Sequence, residues 1–279
     1  MPIDLRAELE PSVTRRLDHH LTAAREWMPH DPVPWSLSWD FDSSPWHPGQ
    51  SRLTGPARTV LTLLLAAEED LPRRHAALAA VCGDRGAWAR WLHRWTAERQ
   101  RHGLALRDYL LTTRAADPVE LERARLAALG AVREEPVRDL ARTLAHLTVQ
   151  ETSAAVLYRS VPGVPDCGAR LLDLVAGDKE LHAAFHRSLL DDALLIDPSR
   201  TVAAICAELL TFGPPASGVH DLRRHLDLVL HPLLAHWRLT ELTGLDADAV
   251  RGLDALGALL DGVRLPAPAA PPLTVGGLL

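Results

Sequence analysis

Cysteine is scarce in this sequence of 279 residues: only Cys82, Cys167 and Cys206 occur, far apart and odd in number. They provide neither a disulfide framework nor the paired cysteines of a zinc site. An excess of basic residues is also lacking, since 30 Lys and Arg stand against 36 Asp and Glu, a net charge of −6. Without a basic field we expect no nucleic-acid partner.

Long hydrophobic runs are missing as well. No uninterrupted apolar run approaches the roughly 18 residues that a transmembrane helix needs, and the N-terminus lacks the basic and apolar regions of a signal peptide. We therefore expect a cytoplasmic protein with no membrane span. Tyr (2) and Phe (3) are rare, whereas Ala and Leu dominate a composition that is 47% hydrophobic, which favours helix over sheet.

Helical patterns follow one another from about residue 55, after an amphipathic segment (residues 1–27) and a loop rich in Pro, Trp and Asp that we expect to pack along the body. Turn signals separate these patterns at Gly83–Gly86, Asp117–Pro118, "VPGVPDCG" (161–168), Asp197–Pro198 and "FGPPASG". We predict a single all-helical domain over residues 1–263. Residues 264–279 form a Pro- and Gly-rich tail that we expect to be poorly ordered.

Four helical stripes with 3–4 spacing carry ionisable residues in the middle of an otherwise apolar face. The first stripe runs as one helix from Ala57 to Leu78 and contains Glu68. The other three contain Arg99 and His102, Glu151, and Lys179 with His182. Such faces are buried in a helix bundle, where an unpaired charge costs several kcal/mol, so the four stripes together predict one shared site.

The pattern is close to that of the di-iron carboxylate bundles, which use one Glu from each of two helices and a Glu-x-x-His pair from each of two others. Glu68 and Glu151 correspond to the lone acids. "RQRH" and "KELH" stand at the places of the two pairs, with Arg99 and Lys179 where the acids belong.

Six motifs extend the comparison along the chain, in order, over about residues 15–250. They are "AREWMPHDPVPW", "AEEDLPRRH", "WTAERQRHG", "VQETSA", "AGDKELH" and "HWRLTELTGLDADA". Together they resemble motifs of the soluble acyl-acyl-carrier-protein desaturases, the stearoyl-type enzymes of plants and their actinobacterial relatives. The resemblance implies an all-α, ferritin-like helix bundle with additional helices. It also implies an acyl carrier protein or acyl thioester as partner, ferredoxin if the protein is redox-active, and a homodimer.

Carried over by position, the resemblance makes Glu68 and Glu151 the terminal metal-binding glutamates of the family, and His102 and His182 its histidine ligands. The two bridging glutamates fall on Arg99 and Lys179. Further positions of interest are Trp27 and Asp178, which with His102 match the family's proposed electron route, and Ala154, which replaces a threonine near the oxygen site of the plant enzymes. Glu98 and Asp178 each precede a histidine on the same helix by four residues, so we expect them to support His102 and His182 from outside the metal's direct ligands.

Charge arithmetic favours a rebuilt site over a damaged one. Four carboxylates and two Fe²⁺ ions sum to zero charge, and so do two carboxylates with one Arg and one Lys. Because Arg does not deprotonate, it cannot serve as a ligand, and its charge repels Fe²⁺. We therefore expect no metal cofactor and a salt-bridge cluster in its place. The candidate acids and bases of a non-oxidative acyl reaction are Glu68, Arg99, His102, Glu151, Lys179 and His182.

Two alternatives stay open at this point. The first is an oxygen-dependent desaturase or oxygenase with an atypical site, in which the histidines and remaining glutamates hold iron or another single divalent metal. The second is a non-catalytic protein that binds acyl groups. The Ala-, Arg- and Leu-rich composition suits a specialised-metabolite pathway.

Overall fold

The computed structural model describes residues 3–131, 138–211 and 222–262 of the chain. These residues form helices and short 3₁₀ or π-helical turns and contain no β-strand, so the all-helical prediction is confirmed. The α-helices are α1 (Leu5–Ala23), α2 (Gly55–Glu69), α3 (Leu71–Cys82), α4 (Gly86–Thr112), α5 (Pro118–Gly130), α6 (Leu140–Ser160), α7 (Asp166–Ile196), α8 (Pro198–Thr211), α9 (Leu222–His225), α10 (His231–Trp237) and α11 (Ala247–Gly262). A π-helical turn, Leu226–Leu230, joins α9 to α10.

The predicted interruptions at Gly83–Gly86, Asp117–Pro118, 161–168 and Asp197–Pro198 all coincide with helix ends. The predicted turn "FGPPASG" and the predicted tail over 264–279 lie outside the described residues. Within the described ranges, no helix is both long enough and apolar enough to cross a membrane.

The loop between α1 and α2 packs on the body of the protein. The Trp46 Nε1 atom donates a hydrogen bond to the carbonyl oxygen of Arg114 at 3.2 Å. In turn the Arg114 guanidinium donates to the carbonyl oxygen of Ser44 at 2.8 Å and lies 4.0 Å from the centre of the Phe41 ring. These contacts tie the loop to the end of α4, as its aromatic content led us to expect.

The first stripe is not one helix, and this prediction was wrong. The helix is interrupted at Asp70, so that Glu68 lies in the last turn of α2 while His75 and Leu78 belong to α3. Pro72 accounts for the break, because it has no N–H to give to the carbonyl of Glu68 and its ring would clash there with a continuing helix. Proline is instead well placed in the first turn of the new helix.

The core consists of two apolar clusters with the ionisable residues between them. One cluster contains Trp95 and Phe185, and the other contains Leu106 and Val175. Because α4 and α7 each pass through both clusters, the charged residues on these helices lie in the layer that separates two blocks of apolar packing. That layer is the candidate site.

Candidate active site

The centre of the site is a group of four charged side chains, here called the ionic cluster: Glu68, Arg99, Glu151 and Lys179. They come from α2, α4, α6 and α7 respectively. The Arg99 guanidinium lies 2.9 Å from Glu68 and 3.5 Å from Glu151. The Lys179 ammonium lies 2.8 Å from Glu68 and 3.2 Å from Glu151. Each cation therefore contacts both acids, and all four side chains are at most 3% exposed.

Neutral donors complete the bonding of the two carboxylates. Trp95 Nε1 donates to Glu151 Oε1 at 3.2 Å, and the Tyr158 hydroxyl donates to Glu68 Oε1 at 3.3 Å. Arg99 also donates to the carbonyl oxygen of Ala67 at 3.2 Å. Buried ions are tolerated when their remaining hydrogen-bonding capacity is used, and these contacts supply much of it.

The electrostatic balance keeps both acids ionised. Burial alone would raise the pKa of Glu68, but Arg99 and Lys179 outweigh it and hold that pKa at about 2. Burial is likewise outweighed at Glu151, where Lys179 and Arg99 hold the pKa well below its usual value. At Tyr158, burial and the nearby Glu68 carboxylate raise the pKa of the phenol well above its usual value. The ionic cluster is thus a neutral set of two carboxylates and two cations.

The two predicted histidines flank the ionic cluster, but the acids that support them are exchanged between helices. His182 Nε2 bonds to Glu98 at 2.8 Å, and His102 Nε2 bonds to Asp178 at 2.9 Å. Both acids thus support the predicted histidines, but each bonds to the histidine of the facing helix and not to the one that follows it by four residues on its own helix. The physical reason is that α4 and α7 pack against each other, so each acid reaches across to the facing helix.

The second ring nitrogens of these histidines face the ionic cluster. His102 Nδ1 lies 4.0 Å from Glu68 Oε2, and His182 Nδ1 lies 3.8 Å from Glu151 Oε2. The two environments shift the pKa values in opposite directions. Burial lowers the pKa of His102, whereas at His182 the nearby carboxylates of Glu151 and Glu98 outweigh burial and raise the pKa. Each imidazole thus connects the ionic cluster to an outer carboxylate.

Trp27, Asp178 and His102 are brought together as the sequence predicted. Trp27 Nε1 donates to Asp178 Oδ2 at 3.1 Å, the same oxygen that bonds to His102. The rings of Trp27 and His102 are nearly parallel, with centroids 6.2 Å apart. Arg101 lies 4.3 Å from the centre of the Trp27 ring and 2.5 Å from Asp178. Asp178 is therefore ion-paired with Arg101, a residue that was not among the predicted site residues.

His20 on α1 is the main functional candidate that sequence reasoning missed. Its Nε2 atom lies 3.0 Å from Glu98 Oε2, so Glu98 joins His20 to His182. A signal was present, because His20 continues the buried 3–4 stripe of Leu9, Val13 and Leu17. Ala154, by contrast, lies one turn after Glu151 and packs, partly buried, against the apolar cluster that contains Leu106.

Two cavities lie beside the ionic cluster. One of about 730 Å³ touches Glu68 and is lined further by Leu71, His75, Thr96, Gln100, Gly103 and Leu104. The other, of about 450 Å³, lies between α3 and α6 and is lined by Ala77, Leu78, Val81, Trp95, Thr143 and Leu147, among others. Trp95 separates the second cavity from Glu151, to which it donates.

Comparison with known proteins places this chain in a family. Residues 2–212 match the sequence profile described as fatty acid desaturase. The chain is 31% identical to a protein named as an acyl-[acyl-carrier-protein] desaturase, DesA1 of Mycobacterium tuberculosis, over 94% of this chain and 86% of DesA1. It is 26% identical to acyl-[acyl-carrier-protein] desaturase 7, chloroplastic, of rice (Oryza sativa), over 94% of this chain and 75% of the rice protein.

The crystal structure of DesA2 from M. tuberculosis, named as an acyl-ACP desaturase, superposes with a TM-score of 0.66 at 26% identity. The match covers 90% of this chain and 99% of that one. The ferritin-like helical fold inferred from the sequence is thereby confirmed. This chain belongs to the fatty acid desaturase family of acyl-ACP desaturase homologues.

Proposed function

We propose that this protein acts on an acyl chain carried by an acyl carrier protein, and that the ionic cluster takes the place of a di-iron centre. Its chemistry is then not an oxygen-dependent desaturation. The observation that carries the proposal is that Arg99 and Lys179 each contact both Glu68 and Glu151. Two cations thus neutralise the two acids that would otherwise face a pair of metal ions.

The residues at this position do not fit a carboxylate-bridged pair of irons. Both bridging positions hold cations in place of carboxylates, and a guanidinium has no lone pair to offer a metal. Lys179 directs its ammonium group at two carboxylates, which favour its charged form over the neutral form that a ligand requires. His102 and His182 keep donor atoms that point toward the site, but the cations occupy the space between the two glutamates.

The acyl chain is assigned to the larger cavity, which touches Glu68. Its volume, about 730 Å³, falls within the usual range for ligand pockets, and Leu71, Pro72, Leu104 and Leu129 give it apolar walls. Both DesA1 and the rice protein carry names that refer to acyl chains on acyl carrier protein, which supports the same class of substrate.

The electrostatics of the ionic cluster limit the types of reaction that it can support. Glu68 lines the larger cavity and is the member of the ionic cluster best placed to meet a substrate. With its pKa held at about 2, it is a weak base, and its charge suits the stabilisation of a developing positive charge. We therefore assign a non-oxidative isomerisation, elimination or cyclisation to the site. The same complete pairing of charges favours a second candidate, an acyl-binding protein without catalysis.

The mass of the acyl thioester distinguishes these functions. The protein is incubated with acyl carrier protein bearing, in turn, a saturated, an unsaturated and a hydroxylated fatty acyl chain, with and without Fe²⁺, ferredoxin and a reductant. Isomerisation or cyclisation leaves the thioester mass unchanged while its chromatographic position shifts, and elimination removes a neutral molecule. A stable complex without product supports the acyl-binding candidate. Loss of two hydrogens that depends on iron and oxygen overturns the proposal.

A further inference from the structure

A second group of potential ligands lies on the far side of His182 from the ionic cluster. It consists of His20 on α1, Glu98 on α4 and His182 on α7, here called the outer triad. The Nε2 atoms of His20 and His182 lie 3.0 and 2.8 Å from the same oxygen, Glu98 Oε2. All three residues are buried, and one donor atom from each lies within 4.8 Å of the others.

These separations are close to those of a metal's ligands. A tetrahedral Zn²⁺ ion has bonds of about 2.0–2.1 Å to imidazole nitrogen and carboxylate oxygen, which places its ligand atoms about 3.3 Å apart. Lengthening the two separations between Nε2 and Glu98 Oε2 by a few tenths of an ångström would bring them to this value. We propose that the outer triad binds a single divalent transition ion of the Zn²⁺ class through two histidines and one glutamate.

The second ring nitrogen of His182 agrees with this assignment. When a metal takes Nε2, a neutral imidazole carries its proton on Nδ1, and that N–H then needs an acceptor. The Nδ1 atom of His182 is buried and is not used in another hydrogen bond among the described residues. His182 Nδ1 lies 3.8 Å from Glu151 Oε2, so the ionic cluster supplies the carboxylate that typically orients a metal-bound histidine.

Residues around the outer triad provide a route of entry for an ion and hold the two histidine rings in place. Arg94 lies 2.6 Å from Glu98 Oε1, leaving Oε2 for the ion, and 37% of the Arg94 side chain is exposed. Because the Arg94 side chain extends from Glu98 to the surface, we assign the route of entry to its displacement. The Trp91 ring meets the rings of both His20 and His182 edge-on, with centroids 5.0 and 5.9 Å apart, which fixes their orientation. Three protein ligands leave a fourth position open, as in catalytic zinc sites.

This site is distinct from the di-iron position. It uses His20 and Glu98, and it needs none of Glu68, Arg99, His102 or Lys179 as a ligand. The proposed function therefore stands or falls separately from it.

Cobalt provides the test, because Co²⁺ replaces Zn²⁺ and absorbs visible light according to its geometry. The full chain, freed of metal with a chelator, is titrated with Co²⁺ and then with Zn²⁺ in competition. We expect a single Co²⁺ ion per chain with the intense bands of a four-coordinate site, displaced by Zn²⁺. His20→Ala and Glu98→Gln should weaken binding by about tenfold or more, whereas Arg94→Gln should strengthen it by removing a competing cation.

His102→Ala is the matched control, since His102 bonds to Asp178 and contributes no ligand atom to the outer triad, so that its loss should leave Co²⁺ binding unchanged. Circular dichroism shows that each variant is folded. Absence of Co²⁺ binding in both the parent protein and Arg94→Gln overturns the proposal, and so does binding that His20→Ala leaves unchanged. An ion lost in His102→Ala but retained in His20→Ala would place the metal at the ionic cluster, which would contradict the proposed function as well.

Discussion

Lys179 on α7 and Glu68 on α2 form an ion pair of 2.8 Å between two side chains that are 1% and 3% exposed. The same ammonium contacts Glu151 at 3.2 Å, and Arg99 contacts both acids from a third helix. The ionic cluster therefore joins α2, α4, α6 and α7 through charges. Its parts depend on one another, because removal of any member leaves a buried charge without its counter-ion.

The stability of the fold should reflect this dependence. We expect Lys179→Met to lower the free energy of unfolding by about 3–5 kcal/mol, because two buried carboxylates lose a shared cation while the volume of the side chain is nearly retained. Urea denaturation followed by circular dichroism measures the change.

Arg159→Met provides the control on the surface. Arg159 is 45% exposed and pairs with Glu180, which is 53% exposed, so its loss should cost less than about 1 kcal/mol. Equal losses of stability in the two variants would show that the buried pair has no special energetic role.

Lowering the pH should reduce the free energy of unfolding because Glu68 becomes protonated. Its pKa is held at about 2 in the folded protein against 4.5 for an ordinary glutamate, so the unfolded chain takes up this proton first as the pH falls. The stabilisation is present in full above pH 4.5 and is lost as the pH falls toward 2. Linkage puts the contribution of the group at about 3 kcal/mol.

Denaturant unfolding at a series of pH values tests this dependence. Glu68→Gln cannot take up the proton, so its unfolding free energy should change less between pH 5 and pH 3 than that of the parent protein. Parallel curves for the two proteins would contradict the assignment of this pH dependence to Glu68.

Cavity-filling variants should locate the acyl chain. Ala77→Trp fills the cavity between α3 and α6, whereas Leu104→Trp fills the larger cavity that touches Glu68. We expect Leu104→Trp to weaken the binding of an acyl-loaded carrier protein by about tenfold or more, since about 1.4 kcal/mol of apolar contact corresponds to that factor. Binding is measured by titration calorimetry, with unloaded carrier protein as the reference.

Ala77→Trp should leave this affinity close to that of the parent protein. The reverse outcome, in which Ala77→Trp blocks binding and Leu104→Trp does not, would assign the chain to the cavity between α3 and α6.

Much of the candidate site was accessible from the sequence because helical periodicity identifies buried faces. The spacing of apolar residues placed Arg99 and His102 on one buried stripe and Lys179 and His182 on another, and the structure brings all four together. Periodicity failed at Asp70 for a physical reason. The apolar spacing continues from α2 into α3 across the break, so the stripe alone cannot detect it, although Pro72 marks the new helix.

Contacts between residues on different helices could not be predicted from the spacing of residues within each helix. Glu98 lies 84 positions from His182 and only four from His102, yet it bonds to the former. Which neighbour an acid reaches depends on how two helices face each other, and the spacing within one helix does not contain that information. His20 is a different case, because its place on the buried stripe of α1 could be read from the sequence, while its partners could not.

Iron content tests the central claim most directly. The parent protein and the double variant Arg99→Glu with Lys179→Glu are loaded anaerobically with Fe²⁺, freed of excess metal and assayed for iron per chain and for the absorption of a bridged iron pair after oxidation. We expect two irons per chain with that absorption in the double variant, which restores two carboxylates at the bridging positions, and no bridged pair in the parent. A bridged pair of irons in the parent protein would contradict the account.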